Sequence, residues 1–177
     1  MTQYYYLIAS LPVLEFAAKA PFSYEEFLSR CDGQLSPEDR EAVDRAVTML
    51  RHDAAEKYRA VAEWDAFETS LKNEIARVRA EKYSKDPFKY IRGEHYYDPF
   101  TAGLAQWAVN QDSPMEAELF LDRARWEKLE EIKNGHYFDI DYLIAYAIQL
   151  RILIRWGRIN SEGGMQVLAD MADKENK

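Results

Sequence analysis

Apolar residues recur every three or four positions through the middle of the chain, the spacing that lines one face of an α-helix. From Val43 the stripe runs through Val47, Leu50, Ala54, Tyr58, Val61, Trp64, Phe67, Leu71, Ile75 and Val78. Neither glycine nor proline interrupts residues 38–86. That suits a helix interior, where glycine costs backbone entropy and proline removes an amide donor. Ser36-Pro37-Glu38-Asp39 opens the run with an N-cap, a first-turn proline and two acids at the positive dipole end. The other faces carry Glu41–Arg45, Asp53–Lys57, Glu68–Lys72 and Glu81–Lys85, i,i+4 pairs in the favourable order contributing about 0.3 kcal/mol each. Asp53 with Glu56 resembles a capping box. The pattern therefore predicts two helices, nearly collinear or bent near His52–Asp53, with one very long helix over 37–85 as the alternative.

The flanking segments carry the same punctuation. Ser23 with Glu26 is a capping box that opens a short helix ending near Gly33. Asp98-Pro99 opens a helix to about Asn110, and Ser113-Pro114-Met115-Glu116 opens another that ends at Asn134-Gly135. A strongly apolar helix is expected from Asp139 to Trp156, stopped by Gly157. Ser161 is placed to cap a last short helix, with a frayed tail beyond Asp173. Only Tyr4 to Ala9 reads as extended, because tyrosine and isoleucine favour strands; with no partner strand in sight, an apolar segment laid over the helices is the alternative. These elements predict an all-α, elongated multi-helix bundle with long antiparallel helices and a short extended segment at the amino terminus. They predict one domain over 1–177, with a sub-division near 87–98.

Composition narrows the functional classes. The 177 residues are 47% hydrophobic and 31% charged, a balance of globular rather than disordered chains. Twenty-three basic residues against 31 acidic ones give a net charge of −8, which argues against nucleic acid or an anionic membrane as the main partner. The single cysteine, Cys31, excludes an internal disulfide and a thiolate metal cluster and fits a reducing cytoplasm. The amino terminus lacks a basic n-region, and Pro12 breaks its apolar stretch. The most apolar run, 140–154, contains Asp141, Gln149 and Arg151, short of the ~18 apolar residues a membrane span needs. A soluble cytoplasmic protein is expected. The unusual count is 4 Trp, 12 Tyr and 8 Phe: either the core is heavily aromatic or some surfaces are built to be covered.

Catalytic signatures are missing. The glycines form neither a P-loop nor GxGxxG, and no GxSxG elbow occurs. Cys31 needs His52, His95 or His136 folded beside it to act as a nucleophile, and at a helix end after Arg30 the dipole does not lower its pKa. No catalytic, metal-binding or cofactor-binding residue is expected. The echo of His95-Tyr96-Tyr97-Asp98 in His136-Tyr137-Phe138-Asp139 reads first as two N-caps, Asp98 and Asp139, preceded by aromatic staples. A duplicated helical unit is a second reading. A metal or acid–base site of His136, Asp139 and Asp141, making a small metal-dependent enzyme, is the rival from another class.

Two constellations rise above this background. Arg151, Arg155 and Arg158 are spaced i, i+4, i+7 on an otherwise apolar helix. Cations suit a helix C-terminal half, and arginine stems lie well over apolar neighbours; alternatively the stripe faces acids, of this chain or of a partner, since the guanidinium fork binds carboxylates bidentately. Trp156, Tyr4, Tyr5 and Tyr6 are the aromatics expected under a partner with it. In the second constellation, Asp122 sits among Met115, Leu119, Trp126 and Leu129 on one helix face. A buried acid there needs a partner, and Arg151 or Arg155 is expected to supply it, holding the two C-terminal helices in register.

These segments also resemble a known family. Tyr4-Tyr5-Tyr6-Leu7-Ile8-Ala9-Ser10-Leu11-Pro12 and Ser23-Tyr24-Glu25-Glu26-Phe27 are similar to the opening of small uncharacterised proteins encoded within bacterial V-type ATPase operons. Residues Pro114 to Trp126 resemble that family's Pro-x-Glu-Ala-Glu…Leu-Asp-Arg-x-Arg-Trp pattern. Phe138-Asp139-Ile140-Asp141-Tyr142-Leu143-Ile144-Ala145-Tyr146 with Arg155-Trp156 resemble its apolar last long helix. The family bears a fainter likeness to the all-helical funnel of the central stalk in V- and A-type ATPases, which joins the shaft to the membrane rotor ring. The resemblance implies a non-catalytic accessory or central-stalk component contributing to assembly and to rotary coupling of ion transport. A transient assembly factor is the alternative. The implied partners are other V-type ATPase subunits, of stalk or rotor, with no nucleic acid and no direct membrane insertion. The implied location is cytoplasmic, peripheral on the inner face of the membrane through the complex. The resemblance transfers no catalytic or contact residue.

Overall fold

A computed structural model describes residues 4–48, 57–93 and 97–161. They form seven α-helices: α1 Tyr5–Ser10, α2 Tyr24–Cys31, α3 Pro37–Thr48, α4 Arg59–Lys82, α5 Pro99–Val109, α6 Pro114–Lys133 and α7 Ile140–Ile159. A 3-10 turn spans Pro87–Lys89, and no strand occurs among the described residues. The fold is all-α. The chain divides into two compact units, Met1–Thr48 with Tyr137–Lys177, and Met49–His136. The stretch 87–98 lies inside the second unit.

The first unit is organised by α7. Every residue from Leu143 to Leu150 is buried, the signature of a helix enclosed on all sides rather than one with a single apolar stripe. It packs against α3 and α2. The Phe27 ring lies 5.6 Å from that of Tyr146, and the Tyr146 hydroxyl donates to the Pro12 carbonyl at 2.9 Å. That bond ties the irregular stretch after α1 to the central helix. The main-chain N–H of Tyr4 donates to the carbonyl of Phe138 at 2.6 Å, just ahead of α7. The Tyr5 and Phe138 rings meet at 4.6 Å.

The second unit packs α4, α5 and α6 around Phe67, Leu71, Ala108 and Leu121, with Trp64, Leu104, Ala117 and Phe120 against them. The Asn73 amide donates to the Arg92 carbonyl at 3.0 Å and accepts the Arg92 N–H at 2.9 Å, which fastens the segment after the 3-10 turn to α4. Buried Leu121, Asp122, Ala124, Trp126, Leu129 and Ile132 spread over about half the circumference of α6.

The capping signals are realised. Side chains of Ser23, Ser36, Asp98, Ser113 and Asp139 accept main-chain N–H groups in the first turns of α2, α3, α5, α6 and α7, each satisfying a donor the helix itself leaves open. The left-handed Gly135, at φ 87°, follows α6. Two expectations are corrected. Tyr4–Ala9 is not extended: residues 5–10 are helical, with Leu7 and Ile8 buried on the helix and Leu11 buried as its C-cap, and a lone strand would leave its main chain unpaired. Gly157 does not stop α7, which runs to Ile159 with Asn160 as C-cap. One exposed glycine costs about 1 kcal/mol in a helix, and buried Ile152, Leu153 and Trp156 carry the helix through it. In the long Gly- and Pro-free stretch α3 ends at Thr48 and α4 starts at Arg59. The expected break at His52–Asp53, the His95-Tyr96 half of the repeated motif and the last short helix after Ser161 lie outside the described residues.

No helix among the described residues is long and apolar enough to cross a membrane.

Candidate functional site

The Pro114–Trp126 segment is the first part of α6, and it carries a buried ionic cluster. Asp122 is 1% exposed. Three residues on, one helical turn away, Arg125 donates from Nη1 to Asp122 Oδ1 at 2.9 Å and from Nε to Glu68 Oε1 on α4 at 2.6 Å. Lys72, one turn along α4, approaches the other Glu68 oxygen at 2.7 Å. Burial alone would push the Glu68 carboxyl up, but Arg125 and Lys72 outweigh it and hold the group below its ordinary range. Burial likewise disfavours the Arg125 cation, and Glu68 and Asp122 more than restore it. Glu68 and Arg125 thus stay charged at neutral pH, and the geometry of the cluster sets α4 against α6.

Asp122 is buried among Trp126 and Leu129, and it holds an arginine. One arginine it holds is Arg125 of its own helix; Arg151 and Arg155, expected from the sequence, stand on α7. The i,i+3 step brings Arg125 alongside without any long-range docking, and Arg151 belongs to the other unit. Glu68 and Arg125 belong to this ion-pair cluster, and helical periodicity does not single them out. Glu68 reads there only as the i,i+4 partner of Lys72; its place beside Phe67, on the side of α4 that buries Leu71, is the available signal.

In the first unit Arg151, Arg155 and Arg158 are all exposed along α7. The Arg151 guanidinium lies over the Tyr24 ring, 5.4 Å from its centroid, and that of Arg155 lies 6.0 Å from the ring of Trp156. Two of the aromatics expected to lie under a partner are core residues instead. Trp156 is 8% exposed and Tyr4 6%: Trp156 follows the buried Ile152–Leu153 face, and the Tyr4 hydroxyl reaches inward to the Asp39 carboxylate. Tyr5 is half exposed and Tyr6, at 89%, almost fully so.

The nucleophile and metal candidates fall elsewhere. Cys31 is completely buried, and burial pushes its thiol up to about 11, so it is protonated at neutral pH and poorly suited to attack. His136 closes the second unit, with its Nε2 3.5 Å from Arg59 Nη1. Asp139 and Asp141 open α7 in the first unit, Asp139 as N-cap accepting the Tyr142 N–H at 3.1 Å and Asp141 buried. An open groove of about 890 Å³ in the second unit is lined by Glu63, Phe67, Asp98, Phe100 and Glu131. Three of its acids are already engaged: Glu63 by Arg59, Glu131 by Lys128 and Asp98 as the cap of α5.

The fold and these sites define an all-α helical protein that carries ion pairs, side-chain caps and stacked arginines. Residues 105–176, from within α5 through α6 and α7, match the family described as Protein of unknown function (DUF2764). That stretch contains Asp122, Arg125 and the arginine stripe. No curated protein and no solved structure matches the chain.

Proposed function

We propose that the chain is a non-catalytic component of a bacterial V-type ATPase, an accessory or central-stalk protein resembling the stalk's helical funnel, which acts by binding other subunits. The observation carrying this reading is the ordered series of resembling segments, from Tyr4–Pro12 through Pro114–Trp126 to Phe138–Trp156. Side chains left in water agree with a binding role. Tyr6 and Phe88 are more than four-fifths exposed, and large aromatic rings in solvent are the side chains interfaces most often use. In this reading the protein works by adhesion: helix faces pack against stalk or rotor subunits and fix their assembly, and ion transport follows from the complex.

The test is to purify the V-type ATPase from native membranes and quantify the chain by mass spectrometry. A fixed stoichiometry through successive purification steps is expected for a subunit. Presence only in immature subcomplexes reassigns the chain as an assembly factor, and absence from every form rejects the proposal.

A further inference from the structure

Where α4 ends, the chain changes character. Residues 82–92 lead from α4 through the 3-10 turn, and all of them except Pro87 and Ile91 are exposed. Tyr83 is 68% exposed, Phe88 84% and Tyr90 48%. Lys85, Lys89 and Arg92 alternate with these rings, and Asp86 is the only acid in the stretch. Among the described residues, none of the three cations makes an ion pair and none of the three rings packs on another ring. The flanking Glu81 and Lys82 are already engaged, Glu81 by Arg77 at 2.8 Å and Lys82 by the Val109 carbonyl at 2.9 Å.

The main chain of this loop is fixed while its side chains are not. Ser84 is left-handed at φ 53°, and the Lys85 N–H donates to the Ala80 carbonyl at 2.8 Å, closing α4. The Asp86 side chain accepts the Phe88 N–H at 3.1 Å, and the Tyr90 N–H donates to the Pro87 carbonyl at 3.0 Å. Asn73 holds both main-chain groups of Arg92. Phe88 is thus held in water on an ordered turn, with little main-chain freedom left to lose on binding.

We infer that residues 83–92 dock on the surface of an anionic lipid bilayer, Phe88 entering the acyl boundary, Tyr83 and Tyr90 at headgroup depth, and Lys85, Lys89 and Arg92 against lipid phosphates. Shape, composition and charge select this occupant. Exposure of nearly every residue makes the loop a projection rather than a groove, which suits a deformable surface. Protein interfaces favour aromatic rings but are depleted in lysine, whereas bilayer surfaces take tyrosine and lysine together. Nucleic acid calls for a longer basic track than three cations provide. The local charge has the sign that anionic lipid attracts, and salt screens the chain's net −8 beyond about 8 Å. The overall acidity that argues against a membrane as the main partner then sets orientation, with this loop toward the bilayer and the acidic remainder away. Contact at headgroup depth needs no spanning helix. The inference goes beyond the ATPase reading and does not rest on it.

The experiment floats the full-length protein with vesicles of equal parts phosphatidylcholine and phosphatidylglycerol, and with vesicles of phosphatidylcholine alone, at low and high salt. Partitioning onto the anionic vesicles should be at least about tenfold stronger, with the gain shrinking in salt. A K85Q/K89Q variant should lose most of that gain. Phe88→Ser should weaken binding about tenfold and leave the salt dependence unchanged. An unchanged melting curve establishes that each variant is folded. The matched control K19Q/R158Q removes two exposed cations of the first unit and changes the net charge equally; it should bind as the wild type does. Equal partitioning onto the two vesicles, or equal losses in the two double variants, overturns the inference. Tighter binding to a single-stranded oligonucleotide or a glutamate-rich peptide than to the anionic vesicles, abolished in K85Q/K89Q, overturns the assigned occupant. The flotation contains no ATPase subunit, so it is read independently of the native-membrane purification: absence from the complex with vesicle binding intact removes the ATPase assignment and leaves the bilayer contact standing.

Discussion

In the first unit α7 buries eight consecutive residues, and the Tyr146 hydroxyl adds a polar tie from this apolar helix to Pro12. In the second unit the interface of α4 and α6 encloses Glu68, Asp122 and Arg125 beside a modest apolar cluster. Both interiors are helical, yet they hold together by different means. Burial of apolar area is non-directional and indifferent to pH, so α7 tolerates changes that keep its volume. A buried ion pair depends on geometry and protonation, and it is costly when one partner is lost.

The sharpest test of this difference is Arg125→Met. It leaves Glu68 and Asp122 buried without their shared cation and should cost about 3–5 kcal/mol, measured by urea denaturation at neutral pH. Replacing all three residues by apolar ones of similar volume should recover most of that loss; failure to recover would show that the directed ion pairs supply stability that packing does not replace. In the first unit, Leu150→Ala should cost about 3 kcal/mol by leaving a cavity around a fully buried position. That cost should be the same at neutral and acidic pH, and a strong pH dependence would blur the contrast.

Acidification comes next. The Glu68 carboxyl titrates below its ordinary value of 4.5 in the folded protein, so its stabilising contribution is fully present above that value. It is lost as the pH falls through the lower, folded value. The stability difference between wild type and Glu68→Gln should therefore narrow over that acidic window and hold steady above it, as followed by denaturant midpoints. A difference that widens on acidification contradicts the assignment. The smallest effect is expected for Tyr146→Phe, about 1 kcal/mol for one hydrogen bond to a main-chain carbonyl, read from the shift in melting temperature.

Caps and helices are the legible part of this molecule. Ser23, Ser36, Asp98, Ser113 and Asp139 announce helix starts through local chemistry, and each does its work within three residues of where it stands. The buried position of Asp122 is legible for the same reason, since helical periodicity places it among apolar residues. Its partner Glu68 is not, because the Arg125–Glu68 contact joins residues more than fifty positions apart on two helices, and one sequence carries no sign of such pairing. Tyr4 and Trp156 show the opposite failure: aromatic rings suit cores and interfaces equally, so composition leaves them open until burial decides.

The first unit draws its helices from both ends of the described chain, α1–α3 from before the second unit and α7 from after it. On a ribosome the continuous second unit is complete while α7, the helix around which the first unit closes, has yet to be made. Leu7, Phe27 and Val43, all destined for burial, must wait in water for the last-made partner, a window for premature association or chaperone capture. Hydrogen exchange on stalled chains of increasing length should protect α4 and α6 before α2 and α3; simultaneous protection would mean that the early helices have found another cover.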